Sequence, residues 1–449
     1  MKHPLPFCPR NTQETKKNKT KYTLRVLPRS ASYFNTYGCG AECAFAALRE
    51  LLCLGLILFL IVAQQGIAQT GNPDTSRTPF QRGGIYDRPY ILKLGGNTAI
   101  GGYAEMNSNY ERVDGISEGF SFENRRFNVF LYSAISERVK LTSELEFEHG
   151  TEEIKLETAL VDVLFFTLIN LRAGILLSPI GRFNIAHDSP RYNVIDRPLV
   201  STRIIPATLS EVGAGFFGAL YATPFDRFTY EIYAVNGLSD GVVLGSGEGT
   251  RIPMGKSEEA FGEDNNGSPA FVGRLAYNPR FGGEVGLAFY TGRYNTYSSE
   301  GVEIDQPRSV RLFALDAEYR WRRWHFRGEA ALASIDTPGD HVDNDFLAGK
   351  QRGLYVEGNY TLLRRPLFGM PESTVTLFSR YDFIDLNAGT FDKTNQNIGE
   401  ATRRVTAGLA LRPTSDTTVR LSYWRQWEYD RFNNLSHSMN VQFGVATYF

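Results

Sequence analysis

Beyond residue 68 this 449-residue chain contains no cysteine. The four it has, Cys8, Cys39, Cys43 and Cys53, all precede that point, and their spacing matches no zinc pattern. An exported chain of this kind draws no stability from disulfides and needs another source, which a closed barrel supplies. Long apolar runs are equally scarce. Leu51 to Ala63, LLCLGLILFLIVA, is the one example, and at about thirteen residues it falls short of the ~20 that cross a bilayer as a helix. A convincing helical period is missing as well. So is an excess of positive charge. Residues 1–68 carry nine basic and three acidic side chains; the rest keeps 39 basic and 46 acidic, a net of −7, which argues against nucleic-acid binding.

The chain is rich in glycine (43), tyrosine (23) and phenylalanine (31). The apolar run has basic residues before it and the small residues Gly66 and Ala68 after it, the pattern of a signal peptide cut after Ala68. An uncleaved anchor is the alternative. Residues 1–68 are therefore read as an N-terminal extension with signal peptide, 69–90 as a polar, turn-rich periplasmic lead-in, and 91–449 as the folded body.

From residue 91 onward, roughly sixteen short segments alternate apolar and polar residues, running from 91–105 to 438–449. Val139, Leu141, Leu145 and Phe147 oppose Lys140, Thr142, Glu144, Glu146 and Glu148. Val405, Ala407, Leu409 and Leu411 oppose Arg404, Thr406 and Arg412. A soluble sandwich alternates too, but the connections discriminate. Those after even-numbered segments are tight, such as Ser136-Glu137, Leu168-Ile169 and Arg322-Arg323. Those after odd-numbered segments tend to be long, at 106–120, 179–209, 237–268, 295–307, 336–349 and 386–399; the brief 150–153 and the middling 363–372 are the exceptions to this parity. Short turns on one rim and long loops on the other mark an outer-membrane barrel. Aromatics at segment ends, among them Trp321, Trp324, Tyr423 and Trp427, would form interfacial girdles. The expected fold is all-β, a transmembrane antiparallel β-barrel of about 16 strands. Its long third external loop, 179–209, is expected to fold into the pore.

The final segment, Ser438 to Phe449, ends in alternating apolars and a terminal aromatic. It resembles the signal by which bacterial outer-membrane barrels are passed to their assembly machinery. The central stretch RAGILLSPIGRFNIAHDSPRYNVIDRP and the strand-rich remainder resemble the phosphate-selective porin O and P family. That resemblance implies a sixteen-stranded outer-membrane porin, commonly a homotrimer, whose third external loop forms the constriction. It implies passive diffusion of small hydrophilic solutes, with preference for anions such as phosphate.

A porin needs no catalytic group, cofactor or metal; it needs a polar lumen, a constriction and fixed charge. Residues 179–209 carry four prolines and four arginines, Arg182, Arg191, Arg197 and Arg203, against Asp188 and Asp196. Guanidinium forks suit phosphate or carboxylate. Arg126, Arg172, Arg327 and Arg404 join them on expected lumen faces, opposed by Glu144, Glu146, Glu148 and Glu329. The competing reading of each arginine is that it pairs with a nearby acid and pins the loop. An esterase or protease would need a nucleophile with a base; Ser178, His187 and Asp188 lie close, but no G-x-S-x-G elbow surrounds the serine. The acids of 245–267 lack calcium-loop spacing. No plug domain precedes the barrel to suggest an energised receptor. A non-conducting barrel used as adhesin or scaffold is the alternative function. Expected partners are outer-membrane lipid, the assembly machinery through Phe449, and small anionic or neutral solutes.

Overall fold

The computed structural model describes residues 78–81, 85, 88, 92–93, 97–150, 152–242, 250, 252, 261–338, 348–390 and 396–449. The expected signal peptide, all four cysteines, most of the lead-in and much of 245–267 lie outside the described residues.

Sixteen long strands follow in order: β1 (Thr98–Val113), β2 (Ile116–Ala134), β3 (Val139–Glu148), β4 (Glu153–Leu164), β5 (Asn170–Leu177), β6 (Ser210–Tyr221), β7 (Arg227–Val235) and β8 (Ala270–Asn278). They continue with β9 (Glu284–Arg293), β10 (Ser309–Trp321), β11 (Trp324–Ile335), β12 (Lys350–Arg364), β13 (Thr374–Asp385), β14 (Ala401–Arg412), β15 (Thr417–Tyr429) and β16 (Leu435–Tyr448). Each pairs antiparallel with its neighbours in sequence, and β16 returns to β1 in a register running from Ser438↔Val113 to Tyr448↔Tyr103. The sheet closes, so it has no free edge. Beyond the ladder, Phe449 and Gly102 exchange both backbone hydrogen bonds at 3.0 Å. A Cβ on Gly102 would lie 2.4 Å from the Phe449 ring, so only glycine admits the ring there. That ring then stacks on Phe127 with centroids 5.3 Å apart.

Alternation is turned inside out relative to a soluble sandwich. Along β9, Val285 and Leu287 are exposed outward while Glu284, Gly286, Ala288 and Tyr290 are buried inward. Along β15, Leu421 and Tyr423 face outward, and Arg420, Ser422, Trp424 and Gln426 face inward. Phe166, Phe225, Phe281, Trp321 and Phe368 are exposed beside the short turns, where an aromatic girdle would sit.

The first long-rim connection differs from expectation. Instead of a loop over 106–120, β1 and β2 continue as a hairpin closed by Asp114 (φ 48) and Gly115 (φ 87). Two successive positive φ values are what a tight hairpin turn requires, and Asp-Gly is its common sequence. The loop count is unchanged, so 178–209 is the third connection on the long-loop rim.

Candidate functional site

The third loop holds three short helical pieces: α1 (Gly181–Ile185), a 3-10 turn (Ser189–Arg191) and α2 (Val200–Arg203). Its prolines break any longer helix. From its anchorage between β5 and β6, α1 reaches the inner wall at β9–β11, the 3-10 turn reaches β16 and β1, and α2 reaches β11–β13. The loop therefore lies across the barrel interior.

Two kinds of contact hold it. Ile180, Ile185, Leu199, Val200, Ile204 and Ile205 are buried against wall residues that include Tyr233, Val272, Leu312, Ala331 and Ile384. At α1, Gly181 (φ +69) comes so close to the wall that a Cβ would meet the Glu329 carboxylate at 2.5 Å. Glu329 accepts from the Phe183 amide at 3.1 Å and from the Ser201 hydroxyl at 2.8 Å. Elsewhere the wall's arginines donate to the loop's main chain. Arg380 reaches the carbonyls of Asp196 and Arg197, Arg412 those of Pro190 and Tyr192, and Arg420 those of Ser189 and Val194.

Asp196 gathers a cluster of its own. Its carboxylate accepts from Arg125 at 3.1 Å, from the Trp424 indole at 2.9 Å and from Gln442 at 3.1 Å, with Arg404 at 3.7 Å. Burial alone would push this carboxyl up; the guanidiniums of Arg125 and Arg404 and the Gln442 and Arg125 hydrogen bonds outweigh it and hold it at about 2. Asp188, buried too, is likewise held at about 2 by Arg88 and Arg191.

The eight arginines singled out in the sequence fall into different situations. Arg172 is 1% exposed, clamped bidentately by Asp162, bonded to the Tyr233 hydroxyl and laid over the Phe217 ring, so no solute reaches it. Its expected pore-lining role is thereby corrected: lumen-facing in pattern, it is wall structure in fact. Arg126 bridges Glu105 and Glu148. Arg404 donates to Gln426 and lies over Trp424. Arg182 reaches from the loop to Glu284 and Glu318, cross-strand neighbours on β9 and β10, at 2.6 and 2.8 Å. Arg327 pairs with Glu357 at 3.2 Å and covers the Tyr192 ring. Arg191 donates to the Tyr448 hydroxyl at 2.9 Å. Arg197 touches the Ala207 carbonyl, and its Nε and Nη2 find no hydrogen-bond partner among the described residues. Arg203 is exposed at the end of α2.

Three of these, Arg182, Arg191 and Arg327, border a cavity of about 750 Å³ beneath the loop, facing the short-turn rim. Arg320, Arg364, Arg412 and His325 complete its basic lining, against Glu318 and Glu372 as the acids. Arg320, Arg364 and Arg412 were not among the sequence candidates. Arg412 and Arg320 could have been picked out by alternation alone, being near the ends of strands whose pattern was legible.

Ser178 and His187, close in sequence, do not meet. The Ser178 hydroxyl donates to Glu211, while His187 engages Glu157 through Nε2 at 2.8 Å and the Asn184 carbonyl through Nδ1 at 2.9 Å. His187, Glu144 and Glu157 do bring one potential metal ligand each within 4.8 Å of one another. A cation already stands there: Nη1 of Arg88 lies 2.8 Å from the Glu144 carboxylate. Arg88 belongs to the segment ahead of the barrel, and the sequence carried no signal for its place inside.

No protein-family model matches this chain. A protein of Aquifex aeolicus described as uncharacterized is 26% identical over 366 residues, covering 77% of this chain and 79% of that one. Among solved structures, the outer membrane channel DcaP of Acinetobacter baumannii superposes with a TM-score of 0.51 at 11% identity, over 80% of this chain and all of that one. An anion-selective porin from Comamonas acidovorans gives 0.49 at 12% identity, over 78% and 99%. The likeness to DcaP is one of fold. What the two chains share is a closed antiparallel β-barrel.

Proposed function

We propose that this protein is an outer-membrane porin through which small hydrophilic solutes diffuse passively, with a preference for anions. The outward apolar faces and the exposed aromatics beside the short turns suit a bilayer, with lipid as the partner of the outer wall. Localisation in the outer membrane of a bacterium with two membranes follows from that reading, as does delivery by the assembly machinery through Phe449. A homotrimer is the assembly this reading carries.

One observation supports the anion preference: the cavity under the third loop, where six arginines and one histidine face two glutamates. The chain's overall acidity does not oppose this, because most wall acids are already paired with arginine. Field at the narrow part of a pore, rather than the net charge of the protein, sets ion choice. Resemblance to the phosphate-selective porin O and P family makes phosphate one candidate solute among small anions.

Planar-bilayer recording under a potassium chloride gradient tests this. The reversal potential is expected on the chloride side, and the double variant Arg320→Glu/Arg364→Glu should move it toward potassium. A wild-type channel that favours potassium would remove the anion preference while leaving the porin.

A second reading has a specific observation behind it. The loop touches the wall on opposite sides, and an apolar cluster fills the space between loop and β7–β13. A barrel so filled also suits a non-conducting adhesin or scaffold. Absence of conductance steps across many insertions would favour that role.

A further inference from the structure

The Arg88 side chain is fully buried, in the segment ahead of the first long strand. Its Nε and Nη2 donate to the two oxygens of Asp188 at 2.9 and 2.6 Å, a parallel fork on the third loop. Its third nitrogen lies 2.8 Å from Glu144 of β3. The guanidinium plane stands over the Phe130 ring of β2, 3.8 Å from the centroid. Two carboxylates with no side-chain exposure, one set bidentate, and an aromatic shelf beneath are the elements by which proteins recognise guanidinium rather than ammonium.

The pocket is held from behind. The Tyr448 hydroxyl donates to Asp188 at 2.9 Å, Asn128 donates to Glu144 at 2.6 Å, and the neighbouring Glu157 pairs with His187. Arg191 stands off at 3.9 Å from Asp188. The wall and loop therefore build the site, and only its occupant comes from outside them.

The occupant's neighbours in sequence are tied down along the same interior. Thr78 exchanges two hydrogen bonds with Tyr221 at the short-turn rim. Phe80 stacks on Phe217 at 5.5 Å, and Gln81 accepts from Arg274 at 2.5 Å. Ile85 is buried in the apolar cluster under the loop. After Arg88, Leu92 and Lys93 pair with Ile100 and Ala99, back at the short-turn rim. The described residues of this segment thus lie at the short-turn rim (Thr78), under and beside the third loop (Ile85, Arg88) and at the short-turn rim again (Leu92, Lys93).

We propose that Asp188, Glu144 and Phe130 form a guanidinium-binding site, and that the segment ahead of the barrel is its tethered ligand. Docked through Arg88, this segment acts as an internal strap that fills lumen space beside the third loop and lowers conductance. Tethering supplies a high effective concentration, so a free guanidinium competes poorly until the tether's own group is removed. The conductance part rests on the porin reading; the binding part does not.

The test uses the full chain, folded in detergent, as wild type, Arg88→Ala and Arg88→Lys, with ethylguanidinium and ethylammonium as probes. Calorimetry is expected to show ethylguanidinium binding Arg88→Ala about tenfold or more tighter than wild type, with ethylammonium weaker. In bilayers, Arg88→Ala should conduct more than wild type, and ethylguanidinium should bring it back down. Should Arg88→Ala fail to fold, Arg88→Lys keeps the charge but lacks the fork, and is expected to take up ethylguanidinium where wild type does not. Folded variants that bind ethylguanidinium no better than wild type, or that bind ethylammonium equally, overturn the site. Binding with conductance unchanged between wild type and variants overturns the strap. No steps from any variant, with binding intact, refutes the porin reading and the strap's effect on conductance while the site stands.

Discussion

The two sides of the lumen use the same residue for opposite ends. On the side bounded by β4–β9, Arg172 and Arg274 are saturated: the first by Asp162 and Tyr233, the second by Asp316, Glu284 and Gln81. Beneath the third loop, at the short-turn ends of β10, β12 and β14, Arg320 and Arg364 are exposed. Arg412 there donates to main-chain and amide oxygens and pairs with no carboxylate among the described residues. Pairing, not sidedness, separates structural from functional charge. An arginine whose fork is filled by buried carboxylates keeps the wall in shape, and one left over supplies field to the cavity.

The sharpest way to break that contrast is in the saturated side. Arg274→Ala leaves Asp316 and Glu284 buried without their main partner, so a stability loss of about 3–5 kcal/mol is expected. Urea unfolding in detergent reads it, and ion selectivity of whatever folds should stay as in wild type. A selectivity change there with little loss of stability would erase the distinction between the two sides.

Next in size is Asp196→Asn. The loop would keep the arginine bonds to its main chain but lose the charge facing Arg125 and Arg404, at a cost of about 1–3 kcal/mol. Noisier single-channel current, with Trp424 fluorescence shifted because its indole loses a strong acceptor, is the expected signature.

Acidity offers a milder perturbation of the same loop. Asp188 and Asp196 are held at about 2, below the unfolded value of about 3.9. Their contribution is complete above about pH 4 and drains as pH falls through 2. His187, facing Glu157, Glu144, Asp188 and Arg197, is raised above 6.5: burial would lower it, and Glu157 more than compensates. Its contribution is complete below about pH 6.5 and fades as pH rises through the folded value. Thermal melting should therefore show the loop tightest between those limits. A monotonic trend across that range would mean that one arm is absent.

Least costly to the fold is Arg364→Ala on the open side. Stability should hold within about 0.5 kcal/mol, while the reversal potential moves toward potassium. A large destabilisation would show that this arginine, too, is structural.

Much of this architecture was legible beforehand because a barrel strand records its two faces in alternate letters. Sixteen segments, the parity of their connections and the inward position of Arg126, Arg327 and Arg404 all follow from that period. The first hairpin was missed because polar residues such as Asn107, Asn109 and Glu111 look like loop, although they alternate and end in the Asp114-Gly115 turn signal. Arg125 was beyond reach: the register shift between Glu105 and Met106 inserts an extra residue, so Arg125 and Arg126 both reach inward acids. Which arginines are neutralised depends on partners like Asp162 or Glu284 brought in from neighbouring strands, and no local pattern encodes that. Arg88 was invisible for the same reason, its partners Asp188, 100 positions away, and Glu144 lying on elements distant in the chain.

The manner in which Arg380, Arg412 and Arg420 seize the third loop has a consequence for its evolution. They bind carbonyl oxygens, which every amino acid possesses. These particular bonds would survive a change of side chain at 190, 192, 194 or 197, whereas the apolar side chains from Ile180 to Ile205 hold the loop by being buried. Divergent descendants of this barrel that kept the buried apolar anchors, Gly181 and the acids at 188 and 196 would keep the same obstruction and alter what its remaining positions display to passing solutes.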